Sequence, residues 1–180
     1  KSFILISITA IGMIFIAGVP MKYIVGTALV VFIGLGSLVF FTPYLQQRVK
    51  TFIDPSQDSQ GSSYQIQQSL IAIGSGGYFG KGYGQSVQKF SYLPEPIGDS
   101  VFAVTGEEFG FFGSIVLIGL FVLVCLRGLI ISARSDDVWN RLVATGIVVL
   151  IAVESFMNMS SMLGIIPLSG MPLLFVSHGG

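Results

Sequence analysis

Charge is almost absent from the two flanks of this 180-residue sequence and crowded into its middle. From Ser2 to Thr42 the only charged side chain is Lys22, whereas residues 43–110 carry ten charges and residues 111–180 carry six. Over the whole sequence 10% of residues are charged, against about a quarter in a soluble domain. A soluble globule needs charge over all of its surface, and these flanks cannot supply it. The 52% hydrophobic content excludes intrinsic disorder, and a single cysteine, Cys125, excludes a disulfide scaffold. Net charge is zero and there is no basic run, so no nucleic-acid partner is indicated. The sequence reads as an all-α polytopic membrane protein with one long polar insertion.

A membrane helix takes about 20 mostly apolar residues. Residues 3–19 and 23–42 are separated only by Pro20-Met21-Lys22, which predicts a tight hairpin of two spans over 1–42. Residues 111–133, with Arg127 near the end, and 142–163, carrying Glu154 and Asn158, predict two more spans within 111–163. Residues 164–180 read as a short outer loop and the start of a truncated last helix, so the chain is expected to be cut at both ends. Lys22, Arg134 and Arg141 lie in or beside short loops, and positive charge in short loops marks the cytoplasmic side. The loops 43–110 and 164–170 then face outward. Asp136-Asp137 reads as a solvated turn and Trp139 as a membrane-boundary side chain.

The loop 43–110 is where chemistry is expected. Ile66, Leu70 and Ile73 are spaced four and three apart, predicting a short amphipathic helix over 65–73 on the membrane surface or on the bundle. Six glycines then fall within residues 74–84. Their N–H groups suit either an anion-binding nest or plain turns around aromatic side chains. The run is neither a P-loop, which would need Gly at Ser75 and Ser or Thr at Gly82, nor a dinucleotide fingerprint, which Phe79, Gln85 and Val87 break. Pro94 and Pro96 stiffen the approach to Asp99, which stands just before an apolar run. From spacing alone that position is first an ordinary helix N-cap, and it also suits a rigidly presented catalytic carboxylate. Lys89 reads either as an anion ligand or as a surface partner of Glu95. Glu154, Asn158 and Ser161 share one face of their span, lining a wet cavity or bonding to neighbouring helices.

Several of these residues carry a resemblance. Arg48, Phe52-Ile53-Asp54-Pro55, Tyr64-Gln65, Gln68-Ser69, Gln88-Lys89, Leu93-Pro94-Glu95, Asp99, Phe102-Ala103-Val104 and Glu108 resemble the FtsW/RodA/SpoVE (SEDS) family. So does the distal stretch Asn158, Gly164-Ile165-Ile166-Pro167, Gly170, Phe175, Ser177 and Gly179-Gly180. Gln88-Lys89-Phe90 with Tyr92-Leu93-Pro94 is closer to the division branch, FtsW, than to the elongation branch, RodA. There are departures: Gly98 and Ser100 flank Asp99 where the family has threonine and phenylalanine, and Glu154, Leu168-Ser169 and His178 replace the usual residues.

The resemblance implies a SEDS-type helical bundle fragment, the C-terminal half of a glycosyltransferase that polymerises lipid II into peptidoglycan strands. It places the protein in the bacterial cytoplasmic membrane, at the division septum. Asp99 is the implied catalytic base, with Gln88, Lys89, Glu95, Lys81, Gln68, Ser69, Glu108 and Asn158 as substrate-binding residues. No metal-ligand set is assigned. The pyrophosphate leaving group calls for a cation, from lysine or from a divalent ion such as magnesium or manganese. The implied partners are lipid II, a class B penicillin-binding protein transpeptidase and other division membrane proteins. A lipid II flippase and a non-catalytic division scaffold are the competing readings: a flippase would depend on Glu154 more than on Asp99, and a scaffold on neither.

Overall fold

The computed structural model of the chain describes residues 2–43, 46 and 61–178. Arg48, the Phe52-to-Pro55 motif, Asp54, Asp58 and Gly179-Gly180 lie outside the described residues. The helices among the described residues are α1 Ser2–Ile16, α2 Met21–Phe41, α3 Ser62–Gly76, α4 Val87–Ser91, α5 Val101–Ala133 and α6 Val138–Met162. Among the described residues there is no strand. The chain is all-α, as its patterning requires. Among the described residues α5 and α6 are long and apolar enough to cross a membrane, while Phe3–Ile16 and Met21–Gly34 are apolar but shorter.

The chain divides into two compact units, one of Lys1–Gln46 with Phe121–Val153, the other of Gln47–Leu120 with Glu154–Gly180. In the first unit, helices approach where one of them has no side chain. Gly12 lies against Val149, Gly146 against Met13 and Gly128 against Val148. Small residues at such crossings let apolar helices pack closely without any hydrophobic drive from water. The turn between α5 and α6 is held by Ser132, whose buried hydroxyl lies 2.6 Å from Thr145 Oγ1 and 2.9 Å from the Arg141 carbonyl. The turn is shorter than the sequence predicts, because α6 begins at Val138 and takes Arg141 into its first turns. Asp137 accepts from the Trp139 N–H at the start of α6, so this aspartate caps a helix besides facing solvent.

In the second unit the reading of the loop changes in two places. The helix predicted over 65–73 is longer, and its buried positions are Ser63, Ser69, Ala72 and Gly76, whereas Leu70 is exposed. Ala72 packs with Leu93, Ala103 and Val104 in a core to which Ile73 adds its side chain. Small residues win that face because α5 comes too close for larger ones: a Cβ on Gly76 would overlap the Gly106 carbonyl. The second change is in α5: a helix begins at Val101, where Asp99 offered a cap, and runs on into the span predicted from 111, breaking at Gly110, where φ is +70°. Its nine residues before the break belong to the polar loop, and only 111–133 form the apolar run, whose single charge is Arg127. Residues 171–178, expected to open a last helix, form turns and irregular chain.

Candidate functional site

The break in α5 explains what the glycine run does. In an unbroken helix the N–H groups of Phe111 and Phe112 would reach the carbonyls of Glu107 and Glu108. Instead they donate to Gly77 and Tyr78, at 2.9 and 3.2 Å, while the orphaned carbonyls of Glu107 and Glu108 accept from Lys81 and Gly82, both at 3.0 Å. The glycine run thus substitutes for one turn of the helix ladder, and every displaced backbone group finds a partner. Gly80 (φ +78°) and Gly110 sit at the closest approach, backbone against backbone. The N–H of Gly80 is taken by Gly76. With the N–H groups of Gly80, Lys81 and Gly82 all engaged, this stretch does not offer them as an anion nest.

Threading this turn through the helix places Lys81 over Glu107. The two form an ion pair at 2.7 Å, with Glu107 fully buried. Ser86 Oγ (2.5 Å), Val87 N (3.2 Å) and Gln88 N (3.3 Å) also donate to the Glu107 carboxylate. Burial alone would raise its pKa, but the hydrogen bonds from Lys81, Ser86 and Gln88 outweigh it and hold the carboxyl below the usual value. Glu107 stands ahead of the break and of the apolar span. Its neighbour Glu108, also buried, faces Lys89 Nζ at 4.0 Å, and Gln88 Oε1 and Glu108 Oε1 are both buried without a hydrogen-bond partner. Lys89 therefore faces Glu108 and not Glu95, the surface partner that sequence spacing offered. Glu95 instead holds a left-handed conformation (φ +47°) between its two prolines, and its carbonyl accepts from Gly98 and Ser100.

That turn delivers Asp99. The helix cap position belongs to Ser100, whose carbonyl receives Ala103 and Val104 and whose hydroxyl donates to the Pro94 carbonyl at 3.0 Å. Gln65 Nε2 reaches the same hydroxyl at 3.0 Å. Asp99 stands one residue outside the cap, half-buried, and among the described residues its carboxylate has no hydrogen-bond or ion-pair partner. Its main chain is held all the same. Asn158 Nδ2, fully buried in α6, donates to the Asp99 carbonyl at 2.8 Å and to the Met171 carbonyl, and the His178 N–H donates to Ile97 at 2.9 Å. We expect Asn158→Ala to leave two acceptors without a donor and lower stability by about 1–3 kcal/mol, readable as an earlier thermal unfolding in detergent.

The remaining expected site residues divide by burial. Ser69 is inside, bonded to the Gln65 carbonyl and 3.3 Å from Met162 Sδ, while Gln68 is half-buried on α3. Sequence reading passed over Glu107, although Gly76 and Gly80 match Gly106 and Gly110 in their spacing of four, a pattern that marks close backbone approach. Beside this polar cluster an apolar cavity of about 570 Å³ spans the break, lined by residues that include Ile73, Tyr78, Phe102, Phe111, Ile115 and Leu163. Among the described residues no three His, Cys, Asp or Glu side chains gather to hold a metal ion.

Comparison with known proteins is decisive for ancestry. A family model described as "Cell cycle protein", covering FtsW, RodA and SpoVE, matches residues 2–180. The chain belongs to the FtsW/RodA/SpoVE family. It is 42% identical over 172 residues to stage V sporulation protein E of Bacillus subtilis (strain 168), covering 96% of this chain and 47% of the relative. It is 40% identical over 182 residues to a protein named "Probable peptidoglycan glycosyltransferase FtsW" from Neisseria gonorrhoeae (strain NCCP11945), covering 99% and 39%. A chain solved in work on how a peptidoglycan synthase complex coordinates polymerization and crosslinking shares the SEDS fold: TM-score 0.77 at 21% identity, covering 98% of this chain and 48% of that one. The chain spans about half the length of the curated relatives it matches, or less.

Proposed function

We propose that this chain carries the catalytic end of a peptidoglycan glycosyltransferase that polymerises lipid II during cell division in the bacterial cytoplasmic membrane, at the septum. The observation that carries this reading is the half-buried Asp99 carboxylate, unpartnered among the described residues while its main chain is held by Asn158. Lipid II carries its sugar α-linked to pyrophosphate, and the strand linkage is β-1,4, so displacement inverts. In one step Asp99 takes the proton of the acceptor hydroxyl, that oxygen bonds to the anomeric carbon, and the bond to pyrophosphate breaks with its electron pair leaving on the phosphate. Pyrophosphate needs no acid to leave, only neutralising charge, which Lys89 supplies in this reading while the neutral Gln88 amide adds a hydrogen bond. A magnesium or manganese ion would add the same neutralisation, but the described residues offer it no chelating set, and the mechanism routes no step through one. The apolar cavity suits a hydrocarbon chain better than a sugar. A class B penicillin-binding protein, which would crosslink the new strands, and further division proteins are the proposed partners.

Lys89 provides the test. In a full-length protein, Lys89→Ala should raise the lipid II concentration needed for half-maximal strand synthesis by roughly tenfold, the loss of one charge-assisted contact. Strand synthesis with an unchanged lipid II requirement would remove Lys89 from the substrate site. Lipid II crossing the bilayer without polymerisation, abolished by Glu154→Gln, would favour a flippase instead.

A further inference from the structure

Glu107 does more than balance Lys81. Its carboxylate takes the N–H groups of Val87 and Gln88 directly, and it receives the Ser86 hydroxyl, whose oxygen in turn accepts the Lys89 N–H at 3.0 Å. The three successive N–H groups of residues 87–89 are therefore tied to one buried carboxylate, two directly and one through Ser86. α4 is too short, at five residues, to hold its own shape by helix cooperativity. Glu107 itself is anchored: it lies on α5, its carbonyl accepts from Lys81 N, and it is fully buried. Lys81 keeps it ionised, and an ionised carboxylate accepts stronger hydrogen bonds than a neutral one.

We infer that Glu107 is a positioning residue which, through Ser86 and the amides of Val87 and Gln88, fixes the backbone from which Gln88 and Lys89 reach the anionic part of the substrate. This rests on the substrate role proposed for Gln88 and Lys89. Glu107 touches no substrate. The Lys81–Glu107 pair is then an internal brace, and Lys81 leaves the list of substrate ligands.

The test uses Glu107→Gln in the full-length protein, which keeps the side chain's size and one acceptor oxygen while removing the charge. Hydrogen exchange at the amides of residues 87–89 should accelerate while that of α3 and of α5 beyond the break stays as in the parent. The lipid II requirement should rise roughly tenfold with turnover little changed, the scale on which residues supporting a ligand act. Because Glu107 works through Gln88 and Lys89, Glu107→Gln should raise the lipid II requirement less in a Lys89→Ala background than in the parent. Ser86→Ala, a milder lesion to the same relay, should move these readouts in the same direction if Glu107→Gln fails to fold. Losses that multiply in the double variant, or unchanged exchange at 87–89, would overturn the inference while leaving Lys89 as a ligand. A Lys89→Ala variant with an unaltered lipid II requirement would overturn the substrate role and the inference together.

Discussion

Gly80→Ala and Gly110→Ala should each cost the folded state about 3–5 kcal/mol, combining left-handed strain with overpacking. Both residues have positive φ, +78° and +70°. A Cβ on Gly80 would overlap the Glu108 carbonyl, and one on Gly110 would overlap the Gly80 nitrogen. These are backbone atoms, which no rotamer change can move aside. Relief would require separating the two segments, and four hydrogen bonds replace the helix ladder there: Lys81 and Gly82 to Glu107 and Glu108, Phe111 and Phe112 to Gly77 and Tyr78. Gly74→Ala is the control. It lies in α3 with open space where a Cβ would stand, so it should be neutral or stabilising by up to about 1 kcal/mol. Thermal unfolding of the three variants in detergent distinguishes them; equal midpoints would mean the crossing is not rigid.

The largest effect on activity is expected at Asp99. General-base catalysis contributes roughly 10²–10⁴-fold, and Asp99→Asn should lose that factor without losing the fold, since the cap of α5 is made by Ser100 and the hydrogen bond from Asn158 goes to the Asp99 main chain. The other acids are differently occupied. Glu107 is consumed by five donors, from Ser75, Lys81, Ser86, Val87 and Gln88; Glu108 is buried against Lys89, and Glu95 forms the turn between its two prolines. Asp99→Glu keeps the base but moves it by one methylene, so it should recover part of the rate. The pairing of Asn158 with Asp99 adds a positional constraint, and Asn158→Ala should lower turnover as well as stability.

The apolar runs made four helices legible, because uncharged stretches of that length have few other ways to satisfy their backbones. A helix start just after Asp99 was legible from the cap position, but its continuation into the apolar span was not: Glu107, Glu108 and Gly110 interrupt the apolar pattern, and only the exchange of hydrogen bonds with residues 77–82 shows how the helix carries on. The buried face of α3 was misjudged for a related reason. Periodicity weighs Ile66, Leu70 and Ile73, but closeness to α5 rewards Ser69, Ala72 and Gly76. Asp99 was singled out by its family motif and by its place before the apolar run, where the cap proves to belong to its neighbour Ser100. Asn158 was noticed as a polar residue in a span, yet its partner is 59 residues away and no local spacing connects them. Glu107 stayed hidden because its donors come from a loop whose path depends on the glycines.

The most direct measurement of the central claim is strand synthesis from purified lipid II by the full-length protein and its Asp99→Asn variant, with lipid II binding measured on the same samples. The account predicts unchanged binding and polymerisation reduced by roughly 10²-fold or more. Asp99→Asn protein that binds lipid II and makes strands at near the parent rate would contradict it.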